Sequence, residues 1–437
     1  MTRGNRQGNN AFLEFEDNFN NAIQGFNDEG YQEAMKERQL TPELMKGLDK
    51  ILGGTNSANA TEFFLTQSIS EWLQFTIRVG DYKLAQYVVG ALYKQTNYGF
   101  NDLHYNVLRD YKKGEKLPEF KSVSTSKKAN MNLNITPLHF ACINPNSDVL
   151  AQILAVNGDI NMLDQEMRRP LHYAAACSSS ANLELLLEKG ANLTDIDNKK
   201  TTCLHTAVMA RRADNVRLIV QKNEGLITMR DRSGMTAMAY ACKNSDLESI
   251  KALLETGKVK VNAGLGKDRM QPLGWAAMTG NYELCEWLIL NKARVIGCDK
   301  FKRTPLIMAI RNGHIKVASL LLKYGADWMQ ADSSGNTPLH YAAAYGWMEC
   351  MDLLLKTGAD INAENSWRVT PINIAMLKNH EGCVKKLLEH PEVDVNCKDE
   401  KGRTLLTLSL MDLTERTVNF VKYLLEKGAD PNIADID

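Results

Sequence analysis

The 437-residue sequence predicts an all-α solenoid: stacked helix hairpins with β-turn fingers on one side, behind a degenerate helical cap. Three observations lead there. First, one block recurs nine times: Thr136-Pro-Leu-His139, Arg169-Pro-Leu-His172, Thr202-Cys-Leu-His205, Thr236-Ala-Met-Ala239, Gln271-Pro-Leu-Gly274, Thr304-Pro-Leu-Ile307, Thr337-Pro-Leu-His340, Thr370-Pro-Ile-Asn373 and Thr404-Leu-Leu-Thr407. The steps are 33 to 35 residues, with a mean of 33.5. Second, each block leads through small residues to an apolar run such as Leu185-Leu186-Leu187, Leu320-Leu321-Leu322 or Leu353-Leu354-Leu355. Third, most copies close on Gly-Ala-Asp/Asn, at Gly190, Gly325, Gly358 and Gly428. A fixed period of this length is the mark of a repeat architecture.

The residues explain each element in turn. Thr before Pro supplies an N-cap and a first helical residue whose missing N–H is not needed. The Ala-rich stretch makes a thin helix that packs close to its neighbours. The Leu run is the apolar face of a second, antiparallel helix, and the following Gly suits a left-handed stop. One such hairpin cannot bury its own apolar faces, so stacking is obligatory. The block, its period and its Gly-Ala-Asp close resemble the ankyrin repeat, and residues 136–437 read as about nine copies, the last ending inside its finger. Such an end predicts that the chain continues beyond Asp437 or that a partner covers the final hairpin.

Ahead of the repeats, residues 1–10 read as a disordered tail and 11–59 as a helical segment, broken at Gly53-Gly54. Residues 60–135 read as a degenerate cap of the same kind. Trp72 to Gly80 aligns with Pro305 to Gly313, Leu84 falls opposite Val317, and Asp102-Leu103-His104-Tyr105 opens another decayed copy. An unrelated helical domain is the alternative.

Composition narrows the function. Apolar residues make up 44% and charged residues 24%, enough to build a core. Lys+Arg and Asp+Glu both number 52, so whole-chain attraction to nucleic acid or to a membrane is not expected. No apolar run approaches 18 residues, and the first ten residues are polar; neither a membrane span nor a secretory leader is predicted. Nine cysteines without a CxxC pair fit a reducing cytoplasm or nucleus. Cys142, Cys242, Cys350 and Cys383 fall at small-hydrophobe positions. Phosphate-loop, dinucleotide, zinc-protease and nucleophile-elbow motifs are all missing, so no catalytic residue, metal or cofactor is expected. His139, His172, His205 and His340 share one slot, roughly 10 Å apart in stacked repeats, too far to hold one zinc.

The ankyrin resemblance implies that this histidine hydrogen-bonds between repeats. It also implies that partners contact finger tips and the exposed ends of first helices, on the concave face. At those positions stand Phe301, Arg303, Arg311, Tyr345, Trp367, Lys378, Lys401 and Arg403, a basic and aromatic strip expected to grip an acidic segment of another protein. Trp275 and Trp287 read as core and Trp328 as a structural finger-base residue. Asn161, Asn362, Asn396 and Asn432 occupy a finger slot that stabilises the turn and that hydroxylases modify in some ankyrin proteins. A second candidate, for anions, is the loop carrying Lys112, Lys113, Lys116, Lys121, Lys127 and Lys128.

The stretch Lys127-Lys128-Ala129, with Ile135 to Asn146, is similar to the amino-terminal ankyrin region of tankyrase-like poly(ADP-ribose) polymerases. That resemblance implies a platform selecting substrates for an NAD-dependent transferase domain further along the chain. Three readings stand open: a stand-alone adaptor, the targeting half of such an enzyme, and a substrate receptor in ubiquitin transfer.

Overall fold

The computed structural model describes residues 82–93, 100–119, 134–156, 158–410 and 415–433. The tail 1–10, the segment 11–59 and the aligned stretch from Trp72 to Gly80 lie outside them. The chain divides into two compact units, residues 1–192 and 193–437. Among the described residues the regular structure is helical, with two isolated β-bridges, Ile196 to Thr202 and Leu265 to Met270.

In the first unit, α1 (Tyr82–Tyr93) packs on α2 (Asp102–Asn106), and α2 on α3 (Pro137–Ala141). α3 pairs with α4 (Ser147–Ala155) and stacks on α5 (Pro170–Ala176), which pairs with α6 (Ala181–Glu188). Residues 107–117 run beside α4 and are tied to the segment around its start. Asn144 Nδ2 donates to the Val107 carbonyl (2.7 Å), and Gly114 N–H donates to Asp148 Oδ2 (2.7 Å). Leu117 N–H donates to Gln152 Oε1 (2.8 Å).

Among the described residues the second unit holds seven hairpins. The thin first helices are α7 (Cys203–Met209), α9 (Ala237–Lys243), α11 (Pro272–Thr279), α13 (Pro305–Arg311), α15 (Pro338–Tyr345), α17 (Pro371–Leu377) and α19 (Leu405–Ser409), each stacked on the next. Their partners are α8 (Ala213–Lys222), α10 (Leu247–Leu254), α12 (Tyr282–Leu290), α14 (Ile315–Lys323), α16 (Met348–Lys356), α18 (Glu381–Leu388) and α20 (Glu415–Glu426). First-helix alanines such as Ala276, Ala309, Ala342 and Ala375, and the leucine-run residues Leu288, Leu321, Leu354 and Leu387, are fully buried between copies. That makes an all-α ankyrin solenoid, its core built from one hairpin against the next.

Three polar ties join successive copies. At His205 and His340 the block histidine accepts at Nδ1 from the Thr N–H at the helix start and donates at Nε2 to the carbonyl preceding the next block. His340 Nε2 meets the Val369 carbonyl at 3.0 Å, and His205 meets that of Met235 at 3.3 Å. The finger asparagine donates to and accepts from the next finger: Asn362 Nδ2 to the Glu392 carbonyl (2.6 Å), and Asp394 N–H to Asn362 Oδ1 (2.8 Å). A ring after the first helix reaches back two residues short of the preceding left-handed Gly. His314 donates to the Met278 carbonyl (3.1 Å), Trp347 to that of Arg311 (3.3 Å) and His380 to that of Ala344 (3.1 Å).

Two core assignments need correcting. Trp275 and Trp287 are half-buried rather than core, their helices' fully buried positions being taken by Leu273, Ala276 and Ala277 and by Leu284, Cys285 and Leu288. Trp328 is half-buried at its finger base.

Candidate functional site: the finger-side groove of the second unit

The four fingers that carry the expected residues are turns each built around one acidic or amide side chain, buried at Asp299, Asn365 and Asp399 and half-buried at Asp332. Asp299 Oδ1 accepts the N–H groups of Phe301 and Arg303, both at 2.9 Å, and Asp399 does the same for Lys401 and Arg403. In the intervening fingers Asp332 accepts from Ser334 (2.8 Å) and Asn336 (2.9 Å), and Asn365 accepts from Trp367 and Val369, both at 3.0 Å. These bonds fix the tip residues relative to the first helix that follows. At Asp399 they also hold the carboxylate ionised. Burial alone would raise the Asp399 carboxyl, and the Arg403 and backbone donors outweigh it, leaving it below the usual range.

Against that frame the sequence-expected residues fall into three groups. Phe301 and Arg303 share one finger. The Arg303 guanidinium lies 4.7 Å from the Phe301 ring centre and pairs with Asp299, Nε to Oδ2 at 2.8 Å. Arg403 pairs with Asp399 in the same way (2.8 Å), beside exposed Lys401. Both arginines therefore have a carboxylate partner inside their own finger. Phe301 remains 41% exposed. The second group joins neighbouring first helices: Arg311 Nε donates to Tyr345 Oη (3.2 Å), and Tyr345 is 44% exposed.

Trp367 and Lys378 form the third group, and the structure brings them into one open groove of about 320 Å³. Asn336, Asn365 and Trp367 from two fingers make one side. Tyr341 and Ala344 of α15, with Ile374, Leu377 and Lys378 at α17, make the other. Trp367 is 51% and Leu377 49% exposed, large apolar surface left open at a groove. The floor is fixed by polar bonds: Tyr341 Oη donates to Asp332 (2.7 Å), and Asn365 Nδ2 donates to Asn336 Oδ1 (2.9 Å). Burial, with that carboxylate beside it, pushes the Tyr341 hydroxyl well up, so it stays a neutral donor. The groove can take an apolar side chain against Trp367 and Leu377 and an anionic group at Lys378.

Sequence reasoning missed Leu377, Tyr341 and Trp347. Asn365, where five other fingers of this unit use Asp197, Asp231, Asp299, Asp332 and Asp399, was the available signal for the groove, since it coincides with Ile374 in place of the tyrosine found at Tyr240 and Tyr341. Trp347 was legible as the residue in the slot of His314 and His380.

The other candidate groups are placed as follows. Lys112, Lys113 and Lys116 are exposed, and the Glu115 carboxylate accepts the Lys112 N–H (2.8 Å); Lys121, Lys127 and Lys128 lie outside the described residues. Among the described residues no group of three or more His, Cys, Asp or Glu is placed to hold a metal, and no helix is long and apolar enough to cross a membrane. Burial raises the Cys142, Cys203, Cys242 and Cys285 thiols, that of Cys203 to about 12, which is the opposite of a reactive thiolate.

Comparison with known proteins agrees with this geometry. The family profile described as Ankyrin repeats (3 copies) matches residues 112–197, 192–264, 273–365 and 363–435. Among curated proteins the chain is similar to the "Poly [ADP-ribose] polymerase tankyrase" of Caenorhabditis elegans, 34% identical over 462 aligned residues. All of this chain is covered, but only 19% of the relative's length. The profile covers well over half of the sequence, with the helix pairs, fingers and inter-repeat ties all present: the chain belongs to the ankyrin-repeat family.

Proposed function

We propose that this chain is a protein-recognition platform whose principal site is the groove between Trp367 and Lys378. The observation that carries the reading is the groove itself, where a half-exposed Trp and Leu stand beside a cation over a floor already satisfied by hydrogen bonds. Anchors of this kind dominate interface energetics. The occupant is an extended segment with an apolar side chain next to an acidic one; Phe301, Arg303, Arg311, Tyr345, Lys401 and Arg403 extend the site to either side. Random-peptide display on the full chain tests this. Enrichment of peptides with adjacent apolar and acidic residues is expected, with affinity about tenfold lower or worse for Trp367→Ala. Failure to enrich such peptides, or equal binding by the folded variant, contradicts it.

The similarity to a protein named as a poly(ADP-ribose) polymerase supports a second level of the proposal: this recognition serves an ADP-ribosyltransferase, in the cytoplasm or nucleus. Reading the transcript past the Asp437 codon tests it; a transferase domain is expected, and a stop codon directly after Asp437 contradicts it.

A further inference from the structure

The finger tips of four successive copies in the second unit are basic. Lys199 and Lys200, Arg230 and Arg232, Lys267 and Arg269, and Lys300 and Lys302 are all exposed. The tips adjoin one another. Arg232 N–H donates to the Lys199 carbonyl (2.8 Å), and Lys300 N–H donates to that of Asp268 (2.9 Å). Between them, a Cβ placed at Gly234 would lie 3.2 Å from Lys267 Cγ. Among the carboxylates near the row, half-exposed Asp268 pairs with Lys300. The buried Asp197, Asp231 and Asp299 beneath the tips are engaged by their own fingers: Asp197 by Thr201 Oγ1, Asp231 by Tyr240 Oη and Asp299 by Arg303.

The row is local. The next tips read Ser333-Ser334-Gly335, Ser366-Trp367-Arg368 and Glu400-Lys401-Gly402, and the finger of the first unit reads Gln165-Glu166-Met167. A chain with 52 residues of each sign has gathered eight cations on four neighbouring turns.

The turn backbone sets where three of these cations stand. Lys200, Arg269 and Lys302 adopt left-handed φ values of 61°, 55° and 59°. Glycine fills the equivalent tip position in other copies, at Gly234, Gly335 and Gly402. Met167 and Arg368 hold the same slot at 62° and 54°, so the conformation belongs to the turn itself, and three copies fill it with a long cation where glycine would be unstrained.

We propose that these four tips form a track for a linear phosphate polymer, either single-stranded nucleic acid or a polymer of ADP-ribose. Exposed, hydrated cations gain little against scattered carboxylates. A polymer of closely spaced phosphates instead carries condensed counterions, and releasing them gives affinity without any enclosed pocket. The track meets the extended recognition strip at one finger, that of Phe301 and Arg303, but shares no residue with the Trp367 groove and does not depend on what that groove binds.

The test measures binding of the full chain to a labelled single-stranded oligonucleotide, a labelled ADP-ribose polymer and poly-glutamate. Both phosphate polymers are expected to bind, losing about 10²- to 10³-fold in affinity between about 50 and 200 mM salt. Poly-glutamate is expected to bind at least about tenfold more weakly. The tighter of the two phosphate polymers identifies the source. A Lys200→Gly, Arg269→Gly, Lys302→Gly variant adopts the residue other copies use, so it should melt no lower than the parent. It should also bind about tenfold more weakly or worse, with its log–log salt slope shallower by about 2. Arg232→Gln with Lys267→Gln gives the same readout at tips without that strain. The proposal is overturned by absent phosphate-polymer binding at low salt, by equal binding of poly-glutamate, or by unchanged affinity in either folded variant.

Discussion

A block histidine is held at both ring nitrogens: His340 accepts from Thr337 N–H at Nδ1 and donates to the Val369 carbonyl from Nε2, so it must be neutral. Burial pushes His205 and His340 below their ordinary value and takes His139 down to about 4. A base whose folded pKa is depressed stabilises the fold above its unfolded pKa and loses that contribution as pH falls toward the folded value. Stability should therefore decline from about pH 6.5 to pH 4, with His139 alone contributing on the order of 3 kcal/mol. Denaturant midpoints across that window check it. His139→Asn, the residue that Asn373 supplies in this slot, should flatten the dependence; a midpoint insensitive to pH contradicts the assignment. The histidine slot and its structural role were legible in the sequence because repetition repeats the role. The internal pairing of Arg303 and Arg403 was not, since it depends on an aspartate four residues earlier whose direction only the folded turn sets.

At the scale of the element, glycines separate by what surrounds them. Gly335 has φ +78°, and a Cβ there would lie 2.7 Å from the Ser366 backbone nitrogen; Gly325 has φ +86° and nothing within 4 Å. Gly325→Ala should therefore destabilise by about 1 kcal/mol through backbone conformation alone, and Gly335→Ala by about 3 kcal/mol or more. Equal melting temperatures for the two variants would contradict the close approach of neighbouring fingers. The finger-asparagine slot gives a prediction of opposite sign. Asn262, Asn362 and Asn396 each bridge to the next finger, whereas Met329 fills that slot and is 65% exposed. Met329→Asn should restore the bridge and stabilise by about 1 kcal/mol, read as a higher melting temperature. The helix pairs were readable because Thr-Pro starts and leucine runs act locally. The half-burial of Trp275 and Trp287 was not, because it depends on the neighbouring copy's side chains.

At the scale of the whole molecule, copies that bury one another leave their finger side open, so variation among copies becomes variation in what that side can bind. The fold was legible from period alone. The groove was not: it arises where one copy's Asn365 and Ile374 meet the preceding copy's Asn336 and Tyr341, residues about thirty positions apart that no single repeat displays. The basic tips and the Trp367 groove divide the second unit into two surfaces of different chemistry. Hydrogen–deuterium exchange of the full chain with and without a display-selected peptide tests the central claim most directly. Slowed exchange over residues 336–345 and 365–378 is the predicted result; protection confined to other segments, with these unchanged at saturation, would contradict it.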